Sequence, residues 1–384
     1  MSLQILILGG GTGGVAAANI LGKTLGKEHE IILVDKNEKH LFLAGLPLLI
    51  VGARQPSQIT RSLTGLKKKN VRFLQAAVTA FVPEKKTVET ERGPLRYDYA
   101  IIALGAERRP ETIPGQAERA FNPYNLTEAL LLQKKLADFS RGQITLFITN
   151  LPFTGTIAPY EIIFLLDAFF RRKKKRNEVQ LNFVTPEPLP LGTINPLVGK
   201  KVQKMMTERG INLYTQANVL SLDRKENSLI LDGDVQIAGG LFIGIPSHWG
   251  PAPFRKSLLA GKNGWLQAHP LTLATELEHV YAVGDAVGIT SPLEGAWLPK
   301  TGFFAHYQAE VAARNIALLI SGKKPAFRFQ GGAKGAAMLT GLNKGQFVSL
   351  NAYAAPARLK LSGETRFAYL AKALFEKYWL TSWF

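Results

Sequence analysis

A glycine-rich turn between a short apolar segment and a helical pattern constrains this chain more than any other feature. Residues 4–8 predict a β-strand, and Gly9, Gly11 and Gly14 then fit the spacing G-x-G-x-x-G before an alanine-rich helix. In such a turn one glycine makes the bend, one lets a pyrophosphate approach the backbone, and one packs the helix on the strand. The segment therefore predicts a dinucleotide-binding βαβ unit. Its cofactor contacts would come from Gly9, Gly11, Thr12, Gly13 and Gly14.

An acidic residue follows where such a unit needs one. A second apolar strand, residues 30–34, ends in Asp35, about 20 residues after the glycine turn. That spacing is typical of the acid that binds the ribose of a dinucleotide. We expect Asp35, with Lys36 beside it, to contact the nucleotide.

Two later segments favour FAD over NAD as the dinucleotide. Residues 97–106 form an apolar strand that ends in a small-residue turn, and residues 280–286 read Val-Tyr-Ala-Val-Gly-Asp-Ala. They resemble the "ATG" and "GD" segments of two-dinucleotide-binding-domain flavoproteins, with Leu104 in place of the usual threonine. Taken alone, the second segment is also explained by an aspartate that caps a helix. The three ordered matches predict non-covalent FAD. Further contacts are expected from Val78, Ala103, Gly105, Gly284 and Asp285.

The late position of the Gly-Asp segment predicts a discontinuous FAD domain. At 384 residues the chain is too long for one small core. We expect an α/β protein of two Rossmann-like three-layer domains, with a C-terminal segment at a membrane interface or in a dimer. The predicted divisions are 1–115 with 260–325 for FAD, 116–259 for the second domain and 326–384 for the C-terminal segment.

The second domain lacks the glycine fingerprint of a nicotinamide site. After the strand at 143–148, the segment 150–161 has a single glycine, Gly155, and Pro152 removes an amide donor. No acid directly ends the next strand, 181–185. A high-affinity NAD(P)H site of the usual kind is therefore not expected.

Several segments outside the nucleotide turn carry a more specific resemblance. In order and at compatible spacings, the chain resembles the sulfide:quinone oxidoreductase and flavocytochrome c sulfide dehydrogenase group over about residues 3–350. The group's two redox cysteines correspond here to Gly155 and to Ala336 or Ala337, and the chain has no cysteine. Oxidation of sulfide through a protein persulfide needs a thiolate, so the scaffold is expected to serve another donor. The matching segments are His40-Leu41-Phe42, Leu46-Pro47, Pro159-Tyr160-Glu161, Phe183–Pro188, Leu298–Gly302 and Gln308–Ile316.

The resemblance also implies residues around the flavin. It implies that Lys300 and the helix near Gly302 face the ring, where a cation and a helix N-terminus stabilise negative charge, and that Pro47 packs nearby. A surface lysine is the alternative for Lys300. Glu161 is a candidate proton relay, because two-electron reduction of a quinone needs two protons; the alternative is an acid that complements the helix dipole.

The net positive charge and the C-terminal segment indicate which partners the protein binds. The net charge of +18 suits an anionic surface, although the basic run at 171–176 also fits a solvated helix end. Residues 365–384 predict an amphipathic helix with aromatics beside lysines, which is typical of membrane interfaces; docking on the body or in a dimer is the alternative. No apolar run is long enough to span a bilayer.

These features predict a FAD-dependent oxidoreductase that passes electrons from an unidentified donor to quinone. It would lie peripherally on the cytoplasmic, inner face of the cell membrane, as a homo-oligomer. The alternatives are a type II-like NADH:quinone oxidoreductase with an atypical NADH site, or a flavin subunit that docks a cytochrome-type partner without turnover of its own. No metal site is expected, because the histidines are scattered, and no nucleic acid, because the basic runs lack a known motif.

Overall fold

Runs of strands separated by helices make up most of the chain in the computed structural model, which describes residues 2–261, 264–291, 295 and 297–384. The strands of the first part are β1 (Gln4–Leu8), β2 (Glu30–Asp35), β3 (Lys39–Leu41), β4 (Thr60–Ser62), β5 (Arg72–Gln75), β6 (Val78–Val82), β7 (Thr87–Thr90), β8 (Leu95–Arg96), β9 (Tyr99–Ile102) and β10 (Glu107–Arg109). The later strands are β11 (Ala120–Phe121), β12 (Gly142–Ile148), β13 (Val179–Val184), β14 (Ile211–Tyr214), β15 (Val219–Asp223), β16 (Ser228–Leu231), β17 (Gln236–Ala238), β18 (Leu241–Ile245), β19 (Ser247–Trp249), β20 (Val280–Ala282), β21 (Gly332–Gly341), β22 (Lys344–Asn351) and β23 (Arg358–Leu361). The helices are α1 (Thr12–Thr24), α2 (Leu46–Ile50), α3 (Pro56–Ile59), α4 (Gln116–Arg119), α5 (Leu126–Asp138), α6 (Ala158–Arg172), α7 (Pro196–Thr207), α8 (Gly302–Ile320) and α9 (Arg366–Ser382).

The first sheet joins the two ends of the predicted FAD domain. Its five strands are parallel in the order β20-β9-β1-β2-β5. Residues 5–8 of β1 are fully buried, which explains their unbroken apolar sequence, because a parallel sheet is covered on both faces. Tyr281 of β20 pairs with Ile101 of β9. The chain thus returns to its first sheet after more than 170 residues.

A second parallel sheet lies in the middle of the chain, with the order β11-β18-β12-β13-β14. The α/β class with two Rossmann-like sheets is confirmed. The exact boundaries proposed between the domains stay predictions.

The C-terminal segment contains a sheet that was not predicted from the sequence. Strands β21, β22 and β23 form an antiparallel sheet that packs between α6 and α9. Within the described ranges, no helix is both long and apolar enough to cross a membrane.

The basic run at 171–176 has structural partners. Arg171, Arg176 and Arg209 surround the buried carboxylate of Asp167, at nitrogen–oxygen distances of 3.0, 2.7 and 3.8 Å. Lys173 donates to backbone carbonyls at the end of α5. Much of this positive charge therefore forms ion pairs and hydrogen bonds with groups of α5 and α6.

Candidate functional site

The glycine turn after β1 has a geometry that only glycine allows at two positions. Gly9 has φ +109°, and a Cβ there would lie 2.4 Å from the carbonyl oxygen of Ala103. A Cβ on Gly14 would lie 1.7 Å from the carbonyl oxygen of Gly9. At Gly11 a Cβ would meet nothing within 4 Å, and the residue faces a large cavity. Gly14 thus packs α1 on β1 behind the cavity wall, while Gly11 leaves room for a ligand at the N-terminus of α1.

Asp35 stabilises the glycine turn through a hydrogen bond to its backbone. One carboxylate oxygen accepts a hydrogen bond from the Gly10 N–H at 2.6 Å, and the other accepts from Asn37 N–H at 2.7 Å. Asp35 and Lys36 both line the cavity. The carboxylate therefore stands at the end of β2, within reach of a nucleotide in the cavity.

The Gly-Asp segment meets the glycine turn across the end of the first sheet. A Cβ on Gly13 would lie 3.4 Å from Val283 Cγ2, just before Gly284. Gly284 has φ +71°, and its N–H donates to Gln308 of α8 at 2.7 Å. Burial raises the pKa of Asp285, while Lys300, Thr154 and Arg108 act to lower it. Gly284 and Asp285 line the same cavity as Gly11.

Two helix N-termini converge on that cavity. Thr301 caps α8 by accepting a hydrogen bond from Phe304 N–H at 3.2 Å. A Cβ on Gly302 would lie 3.6 Å from Thr12 Oγ1 at the start of α1. Since the N-terminus of a helix carries partial positive charge, the two helices together favour anionic groups here.

The cavity has a volume of about 1110 Å³ and extends from Asp35 to the C-terminal helix. Pockets for drug-sized ligands span about 300–1000 Å³, so a dinucleotide fits. Ala103, Gly105, Glu161 and Gly302 also lie on its wall. The open space at Gly11 and the paired helix N-termini fit the pyrophosphate of FAD.

Three residues expected at the cofactor do not line this cavity. Pro47 is buried within α2, and Val78 begins β6 at the side of the sheet. The ammonium of Lys300 turns away from the cavity, donates to the carbonyl oxygens of Asp285 and Val287, and lies 4.1 Å from the centre of the Trp265 ring. Burial lowers the pKa of Lys300 to about 8, partly opposed by Asp285.

The backbone of Lys300 is nevertheless part of the wall's construction. Its carbonyl oxygen accepts hydrogen bonds from Gly155 N–H at 2.7 Å and Thr156 N–H at 3.3 Å. Thr301 and Gly302, which follow it, line the cavity. Lys300 therefore positions the turn before α6 against the start of α8.

The model of the pyridine nucleotide-disulphide oxidoreductase family matches residues 3–309 of this sequence. The chain belongs to that family. As a family member with this cavity, it is a FAD-binding oxidoreductase. It departs from the family's name in having no cysteine with which to form a redox disulphide.

Individual relatives refine the comparison. Mitochondrial sulfide:quinone oxidoreductase of Mus musculus is 25% identical over 356 residues, which cover 89% of this chain and 76% of that protein. A type II NADH:quinone oxidoreductase of Staphylococcus aureus is 23% identical over 334 residues, 83% of each chain. The resemblance to the sulfide:quinone oxidoreductase group is confirmed.

Solved structures share the fold over nearly the whole length. The sulfide:quinone oxidoreductase of Aquifex aeolicus superposes with a TM-score of 0.90 at 22% identity, covering 100% of this chain and 91% of that one. The NDH2 of Plasmodium falciparum, solved with NADH, gives 0.76 at 18% identity, covering 100% and 96%.

Glu161 lies in the first turn of α6 and is buried at the cavity wall. Its carboxylate pairs with the ammonium of Lys372 from α9, which also lines the cavity. Burial raises the pKa of Glu161, while Lys372 acts to lower it. The arrangement can hold or release a proton beside the cavity.

Lys372 was not predicted from the sequence. It lies on the charged face of the amphipathic pattern of α9, opposite the apolar stripe, and such a face is ordinarily assigned to solvent. Its spacing on α9 gave no signal of a carboxylate 211 positions earlier in the chain. Arg108 and Tyr124 also line the cavity. They were missed as well, because nothing in the sequence around them indicates that they meet at the cavity.

The loop of the second domain is unlike a nicotinamide site. Glu187 follows β13, where a ribose-binding acid would lie, but it is 1% exposed. Its carboxylate accepts hydrogen bonds from the Tyr160 hydroxyl, from Thr185 Oγ1 at 3.1 Å and from Thr193 Oγ1 at 3.3 Å. The carboxylate is thus already occupied by protein groups.

Metal-binding geometry is not found in the part of the chain that the structure describes: no three histidine or acidic side chains are grouped so as to hold an ion. Burial lowers the pKa of His40 to about 4 and that of His248 to about 3. Both rings are therefore neutral near pH 7.

Proposed function

We propose that this protein passes electrons from a donor other than sulfide to a quinone at a membrane surface, using bound FAD. The carrying observation is the cavity, which runs from the glycine turn to Glu161 and Lys372. FAD supplies the two-electron chemistry when bound. The proposal is further supported by two relatives whose names describe quinone oxidoreductases.

We assign the chain's residues as follows within this proposal. Gly9, Gly11, Thr12 and Gly13 surround the pyrophosphate, and Gly14 packs α1 behind them. Asp35 and Lys36 bind the nucleotide, and Asp285 and Gly302 lie toward the ring. Lys300 acts as a positioning residue, because its ammonium is bonded to backbone carbonyls. Pro47 in α2 and Val78 in β6 lie outside the cavity wall and receive no cofactor role.

Glu161 and Lys372 form the proposed proton relay for the quinone. Reduction of a quinone consumes two protons, and this buried pair borders the cavity with exchangeable protons. A proton can leave the pair toward the quinone and be replaced through Lys372, whose side chain is 9% exposed.

The decisive test is an anaerobic titration of the purified flavoprotein with small thiols, sulfide, NADH and quinols, followed in the flavin spectrum. After reduction of the flavin by a donor or by dithionite, an added quinone should restore the flavin absorbance. Sulfide should give neither a protein persulfide nor a stable charge-transfer band. Failure of every added quinone to reoxidise the reduced flavin would refute quinone chemistry.

The NADH-linked alternative is favoured by the type II relatives and disfavoured by the second-domain loop. Glu187 is occupied by Tyr160, Thr185 and Thr193, and the turn before α6 has one glycine. We expect no bleaching by NADH. Rapid bleaching at micromolar NADH would establish the alternative instead.

Attachment to a lipid surface is proposed through α9. Two charged residues of the helix point inward, where Lys372 meets Glu161 and Glu376 meets Arg54 at 2.6 Å, while Arg366 and Lys377 are exposed cations. Beside these cations the helix exposes large apolar and aromatic side chains. They are Phe367, Leu370, Leu374, Phe375 and Tyr378. Such an outward apolar stripe suits the interfacial region of a bilayer.

Vesicle sedimentation tests this surface. Replacing Leu370 and Leu374 by serine should reduce binding to vesicles of anionic lipid by about tenfold or more, since each leucine contributes about 1.5–3 kcal/mol when buried. Leu220→Ser is the matched control, because Leu220 on β15 is as exposed as Leu370, at 53%. Equal binding of all variants would refute the proposal.

The remaining expectations concern the side of the membrane to which the protein binds, its oligomeric state and its redox partner. We propose peripheral binding on the cytoplasmic, inner face of the cell membrane, and a homo-oligomer. A cytochrome-type partner belongs to the alternative in which the chain does not turn over alone. Co-purification of haem, together with no quinone reduction by the isolated protein, would support that alternative; light scattering measures the oligomeric state.

A further inference from the structure

Two polar side chains on the cavity wall have unused hydrogen-bonding capacity. Arg108 extends from β10 and donates through Nη1 to the carbonyl oxygen of Tyr124 at 2.9 Å. Among the described residues, Arg108 Nε and the Tyr124 hydroxyl have no hydrogen-bond partner. Tyr124 is only 4% exposed. Because an unpaired buried donor costs free energy, the pair is suited to an acceptor that the protein itself does not supply.

The two groups lie beside the turn that precedes α6. Arg108, Tyr124, Gly155 and Thr156 share the cavity wall. A Cβ on Gly155 would lie 3.6 Å from the Tyr124 hydroxyl oxygen. Since Gly155 has no side chain, the turn leaves space next to that hydroxyl. A small ligand placed there would contact the turn before α6, which is hydrogen-bonded to Lys300 just before α8.

The charges around this space favour an anion. Lys300 and Lys372 act on the carboxylates of Asp285 and Glu161, respectively, and Arg108 adds a further positive charge to this wall. Within the described ranges, Arg108 forms no ion pair with a carboxylate within 4.0 Å, and its guanidinium bonds to the carbonyl oxygen of Tyr124.

The neighbouring imidazole ring carries no charge. His248 stands edge-on to Tyr124, with 6.2 Å between ring centroids. Burial, with Arg108 and Lys300 nearby, lowers the pKa of His248 to about 3, so the ring stays neutral. Asp285 is the one carboxylate among these groups that acts electrostatically on Arg108, and its charge is shared with Lys300.

We propose that Arg108 and Tyr124 form a binding site for a small anion with oxygen acceptors, such as a carboxylate or a sulfur oxyanion, beside the cofactor. A guanidinium and a phenol donate to such oxygens in well-defined directions. By its charge, the site selects which electron donor reaches the cofactor. This last role rests on the proposed function.

Binding is measured on the FAD-loaded protein by titration with acetate, benzoate and thiosulfate at constant ionic strength. The readouts are the difference spectrum of the flavin and the rise in melting temperature, since a ligand that binds the folded state stabilises it. Comparing the carboxylates with thiosulfate distinguishes the two anion types.

Three variants define the outcome. Arg108→Gln should weaken anion binding by about ten- to a hundredfold, and Tyr124→Phe by about three- to tenfold, as expected for charged and neutral hydrogen bonds. Arg109→Gln is the matched control. This neighbouring arginine bonds to Glu111 at 2.7 Å and lies over the Trp249 ring. It should leave anion affinity unchanged.

Equal weakening by the Arg108 and Arg109 substitutions would overturn the proposal, because the general basic charge would then suffice. Unchanged affinity in both Arg108→Gln and Tyr124→Phe would also overturn it. Loss of FAD from Arg108→Gln with normal anion affinity in Tyr124→Phe would assign Arg108 to the cofactor instead. Quinone reduction is not a readout here, so an inactive protein that still binds anions refutes only the proposed function.

Discussion

At the scale of single residues, buried charge pairs connect distant parts of the sequence. Glu161 and Lys372 have side chains 3% and 9% exposed. Removing one member of a buried pair costs more than removing both, because it leaves an uncompensated charge. This asymmetry distinguishes a true pair from two independent side chains.

We predict that Lys372→Met lowers the free energy of unfolding by about 3–5 kcal/mol, and that the double variant Glu161→Gln/Lys372→Met recovers a large part of this loss. Denaturant unfolding of the wild type, both single variants and the double variant measures the coupling. Additive losses would contradict the pairing.

The buried ammonium of Lys300 predicts a pH dependence. Its pKa is lowered from 10.5 to about 8, so between these values the unfolded chain binds a proton that the folded chain does not. Stability then rises with pH across this window. Relative to Lys300→Met, the wild type should gain up to about 3 kcal/mol between pH 8 and 10.5. A flat or falling difference in thermal or denaturant unfolding would show that the ammonium is not buried.

At the scale of elements, the turn between β1 and α1 tests the cofactor site with a single methyl group. In Gly14→Ala the new Cβ would lie 1.7 Å from the Gly9 carbonyl oxygen, so α1 must shift away from the turn. The flavin-to-protein absorbance ratio of the purified variant should fall several-fold. Gly363→Ala is the control, because nothing lies within 4 Å of its Cβ. Normal flavin content in Gly14→Ala would argue against the proposed pyrophosphate contact.

Helix α9 also reaches the glycine turn. Trp379 Nε1–H donates to His40 Nε2 at 3.1 Å, so the neutral imidazole carries its proton on Nδ1, which donates to the Gly10 carbonyl oxygen at 2.9 Å. We predict that Trp379→Phe, which keeps an aromatic ring, weakens FAD binding by about three- to tenfold. Titration of the apoprotein with FAD measures this. Unchanged affinity would mean that α9 docks without influencing the turn.

The elements differ in how far sequence reasoning could predict them. The turn at 9–14 and the Gly-Asp pair at 284–285 were predictable because backbone geometry allows few residue types there. The orientation of α9 was not. An amphipathic pattern assigns Lys372 and Glu376 to solvent, whereas their partners, Glu161 and Arg54, come from remote parts of the chain. The sheet β21–β23 was missed because residues 331–341 are rich in glycine and alanine and lack a β pattern.

At the scale of the whole molecule, two parallel sheets and a C-terminal cover enclose one long cavity. Its nucleotide end is formed by α1 and α8, and its other end by α6, β21 and α9. The absence of cysteine removes the family's thiol chemistry, while the cavity and the Glu161–Lys372 pair remain. The account therefore requires that FAD bound here exchange electrons with a quinone without a protein thiol.

The most direct measurement is anaerobic stopped-flow mixing of the chemically reduced holoprotein with a short-chain quinone. We predict that the flavin absorbance returns fully, and more slowly in Lys372→Met than in wild type. A purified chain that takes up no FAD, or a reduced flavin that the quinone leaves unchanged, would contradict the account.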